Sequence, residues 1–353
     1  MYRNPQTIFH FSSLPLQQRN RMILVTGGTG LVGSHLLYLL IKNGENVTAT
    51  FRTSKRLEQT KNVFANYGAT ELFDNIIWKK ANIADYFSLN DVFQNITHVY
   101  HCAAVVSFDR RKADNMYEVN VEGTANVVNL CLEFNIAKLC YVSSVASLGK
   151  YTDGRCTDEK AIWTHSGETS YYSVTKYYAE NEVWRGAEEG LNTVIVNPAT
   201  ILGFGDWEES SLAIIKKVND GLNFYTPGSN AFIGVEDVVK VMHQLMNSDV
   251  SDERYVLISE NLSFKKLLSS IAIGLNRKPP QKEAPRWVAN GLRRLDELRY
   301  FLLGSKTVLT KQSIDTAFRQ KCFSAEKIKS ELNFEFESME SVIRKTTEPF
   351  KSA

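Results

Sequence analysis

The sequence predicts an α/β fold, in which a doubly wound parallel sheet is covered by helices on both faces and followed by a smaller C-terminal α/β lobe. Two observations support this prediction. Short apolar runs alternate with segments of helical spacing between residues 22 and 203, and a glycine-rich turn joins the first run to the first helical segment. Beyond residue 203 the alternation loosens, and we therefore divide the chain there.

The elements follow from apolar patterning. Strands are predicted at 22–28, 46–51, 75–83, 98–105, 138–147, 192–203 and 254–259. Helices are predicted at 30–44, 115–135, 170–190, 212–222, 236–248 and 286–304. The last helix is amphipathic, and we expect it to pack in the second lobe rather than to lie on a membrane surface.

Composition narrows the class of protein. The formal net charge of the 353 residues is +2, which gives no reason to expect a nucleic acid or a membrane surface as partner. No apolar run approaches the roughly 20 residues of a membrane span. The six histidines lack metal-ligand spacing, so no metal is predicted. Residues 1–21 lack the features of a secretory signal and are predicted to be a disordered extension.

The five cysteines are an odd number and form no CxxC pair. We therefore expect neither a disulfide framework nor a zinc site, and we interpret the cysteines as small buried hydrophobic residues. Reduced cysteines fit the cytoplasm, which is the predicted location.

The glycine-rich turn reads TGGTGLVG over residues 26–33. Gly27, Gly30 and Gly33 lack a Cβ atom, so the turn can be tight and the backbone can approach a pyrophosphate. The helix that follows presents free N–H groups and a positive dipole from its first residues, Leu31 and Val32. The turn therefore predicts a dinucleotide site, although its spacing differs from GxGxxG.

The end of the second predicted strand bears on which dinucleotide binds. An acid at this position hydrogen-bonds the ribose hydroxyls of NAD, whereas an arginine accommodates the 2′-phosphate of NADP. Here Arg52 lies 19 residues after Gly33, and Lys55 adds a second positive charge in a short basic loop. We predict a 2′-phosphate clamp and hence NADP(H) rather than NAD(H). A solvated basic loop is the alternative.

Further cofactor contacts are expected after the third and fourth strands. Asn82 could hydrogen-bond the adenine and Ile83 could pack against it. The small residues Ala103 and Ala104 would allow a cofactor to lie close to the backbone, although small core residues would give the same pattern.

The segment YYSVTK at 171–176 places Tyr172 and Lys176 at positions i and i+4, on one face of a helix. A neighbouring ammonium lowers the pKa of a tyrosine, so this pair can serve as a general acid and base. Both residues are also expected to contact the cofactor, with Lys176 holding the nicotinamide ribose. Ser144, at the end of the fifth strand, could hydrogen-bond a substrate carbonyl oxygen beside Tyr172. No GxSxG motif surrounds the serines, which argues against a serine hydrolase.

These motifs together resemble the extended short-chain dehydrogenase/reductase family, also called the NAD-dependent epimerase/dehydratase family. The resemblance rests on TGxxGxxG at 26–33, the serine pair at 143–144, YxxxK at 172–176 and NP at 197–198. It implies a Rossmann-type domain over 22–203 that binds NAD(P). It further implies that residues 204–353 form mainly a substrate lobe, with some segments returning to the first domain.

The resemblance also implies roles for particular residues. The catalytic triad would be Ser144, Tyr172 and Lys176. Asn120 would support the active-site helix and a water-linked proton path, while Asn197 and Pro198 would lie beside the nicotinamide. Family members are often dimers, so a homodimer through helices 115–135 and 170–190 is expected, although packing on the sheet explains their apolar positions equally well.

Within the family, TATFR at 48–52 resembles the dihydroflavonol reductase-like branch, whose matching arginine contacts the NADPH phosphate. Two positions depart from the family pattern. Asn82 replaces a commoner aspartate, and Asn230 and Ala231 stand where nucleotide-sugar enzymes often carry an arginine for the diphosphate.

The predicted function is NADP(H)-dependent hydride transfer to or from the carbonyl or alcohol carbon of a small, fairly apolar substrate. The first alternative is a nucleotide-sugar epimerase or dehydratase with tightly bound NAD. The second is a non-catalytic dinucleotide-sensing protein, which the intact Ser144, Tyr172 and Lys176 disfavour.

Overall fold

The computed structural model describes residues 21–107, 109–165, 169–207, 210–303 and 311–350. The predicted N-terminal extension therefore lies outside the described residues, except for Arg21. Within these ranges, no helix is long and apolar enough to cross a membrane.

Twelve strands occur in the described residues. They are β1 (Met22–Thr26), β2 (Asn46–Phe51), β3 (Ile77–Lys80), β4 (His98–His101), β5 (Lys138–Val142), β6 (Thr193–Pro198), β7 (Thr200–Leu202), β8 (Phe224–Tyr225), β9 (Ser229–Gly234), β10 (Glu253–Leu257), β11 (Glu260–Ser263) and β12 (Lys282–Glu283). Seven of them form one parallel sheet in the order β10-β6-β5-β4-β1-β2-β3.

The helices of the described residues alternate with these strands in the first half of the chain. They are α1 (Leu31–Lys42), α2 (Lys55–Asn66), α3 (Tyr86–Asn90), α4 (Ala113–Tyr117), α5 (Gly123–Glu133), α6 (Tyr171–Glu188), α7 (Ala213–Asn219), α8 (Val235–Met246), α9 (Phe264–Gly274), α10 (Arg286–Leu303), α11 (Lys311–Phe318), α12 (Glu326–Leu332) and α13 (Met339–Thr347).

The central strands of the large sheet are buried on both faces, which explains why they are largely continuous apolar runs, whereas the edge strand β3 is mostly exposed. In β1, Ile23 and Val25 face a core that includes apolar residues of α1 and α8. Leu24, between them, faces the opposite core, which includes residues of α5 and α6. The two cores confirm the predicted doubly wound α/β architecture.

A second, smaller layer follows β6. Strands β7 and β9 pair in parallel and β9 and β11 pair antiparallel, which gives a three-stranded sheet in the order β11-β9-β7. Its core is formed with residues of α7, α9 and α13. Strand β10 returns to the large sheet beside β6.

Three predicted segments differ in ways that bear on the site. The predicted strand 192–203 is divided into β6, in the large sheet, and β7, in the small one. The basic stretch after β2 is not entirely a loop, because Lys55 begins helix α2. The predicted single helix 115–135 is divided into α4 and α5 by a π-helical segment, Glu118–Glu122, which contains Asn120.

The expectation for the cysteines is wrong at two positions. Cys156 and Cys322, 166 residues apart, form a disulfide. They meet because the loop after β5 and the segment after α11 run side by side, with Thr157 N donating to Cys322 O and Ser324 N donating to Thr157 O. The cytoplasmic location inferred from the cysteines stays a prediction, and this bond is an argument against it.

Candidate active site

The candidate site lies along the carboxyl ends of β1, β4 and β5. The strand order reverses between β1 and β4, and such a reversal opens a crevice at the carboxyl edge of an open α/β sheet. The sequence-predicted glycine turn follows β1, the two alanines follow β4 and Ser144 follows β5. Residues distant in sequence are therefore brought to one edge.

The glycine turn is tight because its residues pack directly against backbone. Gly27 adopts a positive φ of 69°, and a Cβ added there would lie 2.6 Å from the Cα of Ala103. A Cβ on Gly33 would lie 2.2 Å from the carbonyl oxygen of Gly27. These two glycines are therefore required by the protein itself, to hold β1, α1 and the end of β4 together.

Gly30 differs from them. A Cβ there would meet only the Gly27 oxygen, at 3.4 Å, and Gly30 caps α1 without a side-chain hydrogen bond. The first N–H groups of a helix, which include those of Leu31 and Val32, lack partners within the helix. Open space beside uncapped N–H groups fits an anionic pyrophosphate, so the residues present suit a dinucleotide.

The two basic residues proposed for the 2′-phosphate lie just beyond the end of β2. Arg52 and Lys55 are both exposed. Since β2 is adjacent to β1 in the sheet, both lie on the side of the glycine turn away from Ser144. This position suits the adenosine end of a dinucleotide.

The predicted adenine contacts have other partners in the structure. Ile83 is buried in the core that includes α5, and its carbonyl oxygen accepts a hydrogen bond of 3.0 Å from Asn126 Nδ2. Asn82 is half-buried, and its backbone N–H and C=O both bond the Ser88 hydroxyl. Their contact with adenine stays a prediction, as does the close approach of a cofactor to the half-buried Ala103 and the exposed Ala104.

Ser144 and Tyr172 meet as the sequence predicts. The Ser144 hydroxyl lies near enough to the half-buried Tyr172 side chain to influence its pKa. It also accepts a 3.1 Å hydrogen bond from Ala146 N, at the start of the 3₁₀ turn Val145–Ser147. Tyr172 is held by α6, whose cap is the Ser170 hydroxyl bonded to Ser173 N. The neighbouring Tyr171 is exposed, which settles which tyrosine of the pair faces Ser144.

Lys176 lies one turn further along α6 and is 1% exposed. Its ammonium donates to the Tyr141 hydroxyl at 2.6 Å and to the Val142 carbonyl oxygen at 2.8 Å, both on β5. Burial lowers the pKa of Lys176 to about 7, and the carboxylate of Glu180 opposes that change.

The predicted direction of the Tyr172 pKa shift is wrong for the protein without cofactor. Burial raises the pKa of Tyr172 above its ordinary value, and the hydrogen bond from Ser144 only partly offsets this change. The ammonium of Lys176 is occupied by two groups of β5, so spacing alone overstated its effect on the tyrosine.

Asn120 lies in the π-helical segment, buried beneath α6. Its amide Nδ2 donates to Thr175 Oγ1 at 3.1 Å and to the Val105 carbonyl oxygen at 2.9 Å, while its Oδ1 accepts from Val105 N at 2.7 Å. It thus ties α6 to the segment after β4, which agrees with its expected supporting role. A proton path through Asn120 stays a prediction.

Asn197 and Pro198, at the end of β6, are both fully or nearly fully buried. The Asn197 amide donates to Glu180 Oε2 at 2.8 Å and to Ser147 Oγ at 3.0 Å. Its side chain therefore points into a polar cluster rather than into open space, and proximity to a nicotinamide stays a prediction for both residues.

Two buried groups were missed from the sequence. His101, in β4, bonds Thr26 through Nδ1 at 2.6 Å and Thr124 through Nε2 at 3.0 Å, and burial lowers the pKa of this histidine to about 3. Glu180, at the centre of the polar cluster, continues the four-residue spacing of Tyr172 and Lys176. That spacing was the available signal for Glu180, whereas nothing in the sequence marked His101.

Comparisons with known proteins agree with this geometry. The sequence model described as the NAD dependent epimerase/dehydratase family matches residues 23–257. A putative dihydroflavonol 4-reductase of Synechocystis sp. is 26% identical over 333 residues, which cover 90% of this chain and 91% of that protein. The sterol demethylase protein B of Methylococcus capsulatus is 26% identical over 285 residues, which cover 79% and 83% respectively.

Solved structures support the fold. The UDP-glucose 4-epimerase of Thermus thermophilus, in complex with NAD, superposes with a TM-score of 0.71 at 19% identity, over 94% of this chain and 99% of that one. At this identity the likeness shows the architecture alone.

Proposed function

This chain belongs to the NAD dependent epimerase/dehydratase family, and on that premise we propose that it is an NADP(H)-dependent reductase of a carbonyl group on a small, fairly apolar molecule. The observation that carries the proposal is the proximity of Ser144 and Tyr172 at the sheet edge that also holds the glycine turn. The similarity to a putative dihydroflavonol 4-reductase supports it. An NAD(P)-dependent oxidoreductase is the class common to these relatives.

In this proposal each group of the pair acts on the substrate oxygen. When bound, NADPH supplies a hydride to the carbonyl carbon. Ser144 donates a hydrogen bond that polarises the C=O bond, and Tyr172 donates a proton to the oxygen as negative charge develops there. Lys176 lies one turn further along α6, and in this proposal its ammonium, although bonded to two groups of β5, stabilises the negative charge that the phenol acquires as its proton leaves.

The raised pKa of Tyr172 favours the reductive direction. A tyrosine with a pKa above its ordinary value is fully protonated near neutral pH, which is the form that a proton donor needs. Alcohol oxidation would require the phenolate, which exists only at high pH. We therefore expect reduction to decline above about pH 7, as Lys176 loses its charge, while Tyr172 itself stays protonated through that range.

The preference for NADPH over NADH is proposed from Arg52. The exposed Arg52 follows the end of β2, where the 2′-phosphate of NADPH is expected to bind. Lys55, at the start of α2, lies three residues further along the chain. Residues 22–203 would then hold the nucleotide, and residues 204–353 would contribute mainly to the substrate pocket.

The proposal is tested by replacing the tyrosine. Tyr172→Phe should lower kcat for NADPH-dependent reduction of a panel of aldehydes and ketones by about 10²–10⁴-fold, because the proton donor is lost. The Kd for NADPH should not change. Tyr171→Phe, which removes the adjacent exposed hydroxyl, is the matched control and should keep full activity. Equal turnover in the two variants would contradict the role of Tyr172.

A second measurement separates the reductase from an epimerase or dehydratase. The purified protein would be assayed for co-purifying nucleotide and titrated with NADPH and NADH. Fast exchange and a preference for NADPH support a net reductase. Tightly retained NAD⁺ with little response to NADPH would replace the proposal by an epimerase or dehydratase that reoxidises its cofactor in each cycle.

A further inference from the structure

The carboxylate of Glu180 is 2% exposed and accepts four hydrogen bonds, two from the segment that follows β5 and one each from β6 and β10. Its Oε2 accepts from Ser143 Oγ at 2.5 Å, from Ser147 Oγ at 2.6 Å and from Asn197 Nδ2 at 2.8 Å. Its Oε1 accepts from Arg254 Nη1, on β10, at 2.9 Å. A buried carboxylate needs such partners, because an unpaired charge in the interior is costly.

The partners of Glu180 enclose Ser144. Ser143 and Ser147 stand on either side of it in the chain, and both hydroxyls bond Glu180. The Ser144 carbonyl oxygen accepts from Asn197 Nδ2 at 3.2 Å and lies 2.8 Å from Ser147 Oγ, whose single proton it shares with Glu180. The turn that presents Ser144 is therefore fixed to helix α6 through Glu180.

Glu180 also faces Lys176 across one turn of α6. The other titratable groups around Lys176 are Tyr141 on β5, and His101 and Cys102 at the end of β4. Burial keeps each of them neutral near pH 7, because it lowers the pKa of His101 to about 3 and raises the pKa values of Cys102, to about 12, and of Tyr141. Tyr172 is neutral for the same reason.

Of the groups that face Lys176, Glu180 is thus the one that supplies negative charge. Arg254 lies on the far side of this carboxylate, where its guanidinium also donates to the Glu159 carbonyl oxygen. One side chain of α6 therefore links the position of Ser144 to the charge of Lys176.

We propose that Glu180 is a positioning residue of the active site, whose carboxylate holds the Ser144 turn against α6 and keeps the Lys176 ammonium charged during turnover. It touches neither substrate nor cofactor. The inference rests on the proposed function for its kinetic consequence, whereas its electrostatic part concerns the protein alone.

The electrostatic part is measured without substrate. The full chain, labelled with carbon-13 at the lysine Cε positions, would be titrated by NMR, with the Lys176 signal assigned by its loss in Lys176→Arg. Glu180→Gln keeps the shape and removes the charge, so it should lower the Lys176 titration midpoint by about one pH unit or more. Glu182→Gln, which removes a carboxylate from the outer face of α6, should leave the midpoint unchanged. An unchanged midpoint in Glu180→Gln would overturn the proposal.

The kinetic part uses the pH profile of NADPH-dependent carbonyl reduction. In the wild type, kcat should fall at high pH as Lys176 loses its proton; this fall is the alkaline limb of the profile. In Glu180→Gln the limb should move to lower pH by the same amount as the Lys176 midpoint measured by NMR. A purely structural role of Glu180 would not move it. Ser147→Ala, which removes a hydrogen bond but no charge, should lower kcat without moving the limb. A uniform loss of kcat in Glu180→Gln, with the limb in its original place, would overturn the proposal.

If Glu180→Gln does not fold, Glu180→Asp provides a second test of the proposal. Aspartate retains the negative charge, so the Lys176 midpoint should stay near that of the wild type. Its side chain is one methylene shorter and holds the Ser144 turn less well, so kcat should fall. If the Lys176 midpoint in Glu180→Asp fell as far as it is expected to fall in Glu180→Gln, the proposal would be contradicted. If no carbonyl compound is reduced at all, the NMR result still decides about Glu180, and the proposed function alone fails.

Discussion

The two ends of the proposed cofactor site differ in the burial of their positively charged side chains. At the adenosine end, Arg52 and Lys55 are exposed on the loop and helix that follow β2. At the catalytic end, Lys176 is enclosed by β5 and α6, and its pKa falls to about 7. An exposed charge is well solvated and screened by salt, whereas a buried one responds strongly to each neighbour. We therefore expect modest, salt-dependent effects at the first end and large, pH-dependent effects at the second.

Replacement of Lys176 should have the largest effect. Lys176→Met removes the charge that stabilises the phenolate, and kcat should fall by about a hundredfold or more. The Kd values for NADPH and NADH should change by a common factor, because the preference between the two cofactors is expected to depend on Arg52 at the adenosine end. A change in the NADPH preference of Lys176→Met would contradict the expectation that this preference is determined at the adenosine end alone.

The same variant reports on stability. The pKa of Lys176 is about 7 in the folded protein against 10.5 ordinarily, so the unfolded chain binds more protons between these pH values. The contribution of Lys176 to the free energy of unfolding therefore rises with pH. The difference in this free energy between wild type and Lys176→Met should rise by about 1.4 kcal/mol per pH unit above pH 7, measured by urea unfolding. Lys266→Met, at an exposed position of α9, should show no such rise.

The glycine turn between the two ends should give the next largest effect. Gly30→Ala places a methyl group where the protein leaves space, so NADPH and NADH should both bind about 30-fold more weakly, a loss of about 2 kcal/mol, with little change in stability. Gly33→Ala meets the Gly27 oxygen and should lower the free energy of unfolding by about 1–3 kcal/mol. Calorimetry and thermal unfolding measure both quantities. Equal destabilisation by the two variants would show that Gly30 serves packing only.

Arg52 should give the smallest effect. Arg52→Ala should raise the Kd for NADPH by about tenfold and leave that for NADH unchanged, because only the former carries a 2′-phosphate. The difference should shrink as salt rises. Lys266→Ala, which removes an exposed positive charge from the other lobe, controls for net charge. If NADH binding weakens equally, Arg52 contacts a part common to both cofactors.

The parts of the site predicted from the sequence depend on short-range spacing. The three glycines are separated by three residues, and Tyr172 and Lys176 by four, so the backbone geometry of one turn or one helix places them. The sheet is predictable for a similar reason, since strands buried on both faces are continuous apolar runs. The family resemblance placed Ser144 beside Tyr172, and the structure agrees.

The remaining features depend on contacts between distant segments. The partners of Glu180 come from positions 143, 147, 197 and 254, which no local pattern connects. The direction of the Tyr172 pKa shift depends on burial, which helix spacing does not determine. Strand β9 was not predicted either, because its pairing partners β7 and β11 lie on either side of it in the chain and are themselves short.

The bond between Cys156 and Cys322 divides the chain into a ring and two tails. Helix α6, with Tyr172, Lys176 and Glu180, lies within the ring, as does Asn197. The glycine turn, Arg52 and Ser144 lie on the N-terminal tail. A single cut by a protease inside the ring would therefore leave one covalent molecule, still joined through sulfur. The candidate proton donor Tyr172 lies in the ring and the glycine turn lies on the N-terminal tail, so the fold brings two topologically different parts of the chain to one site.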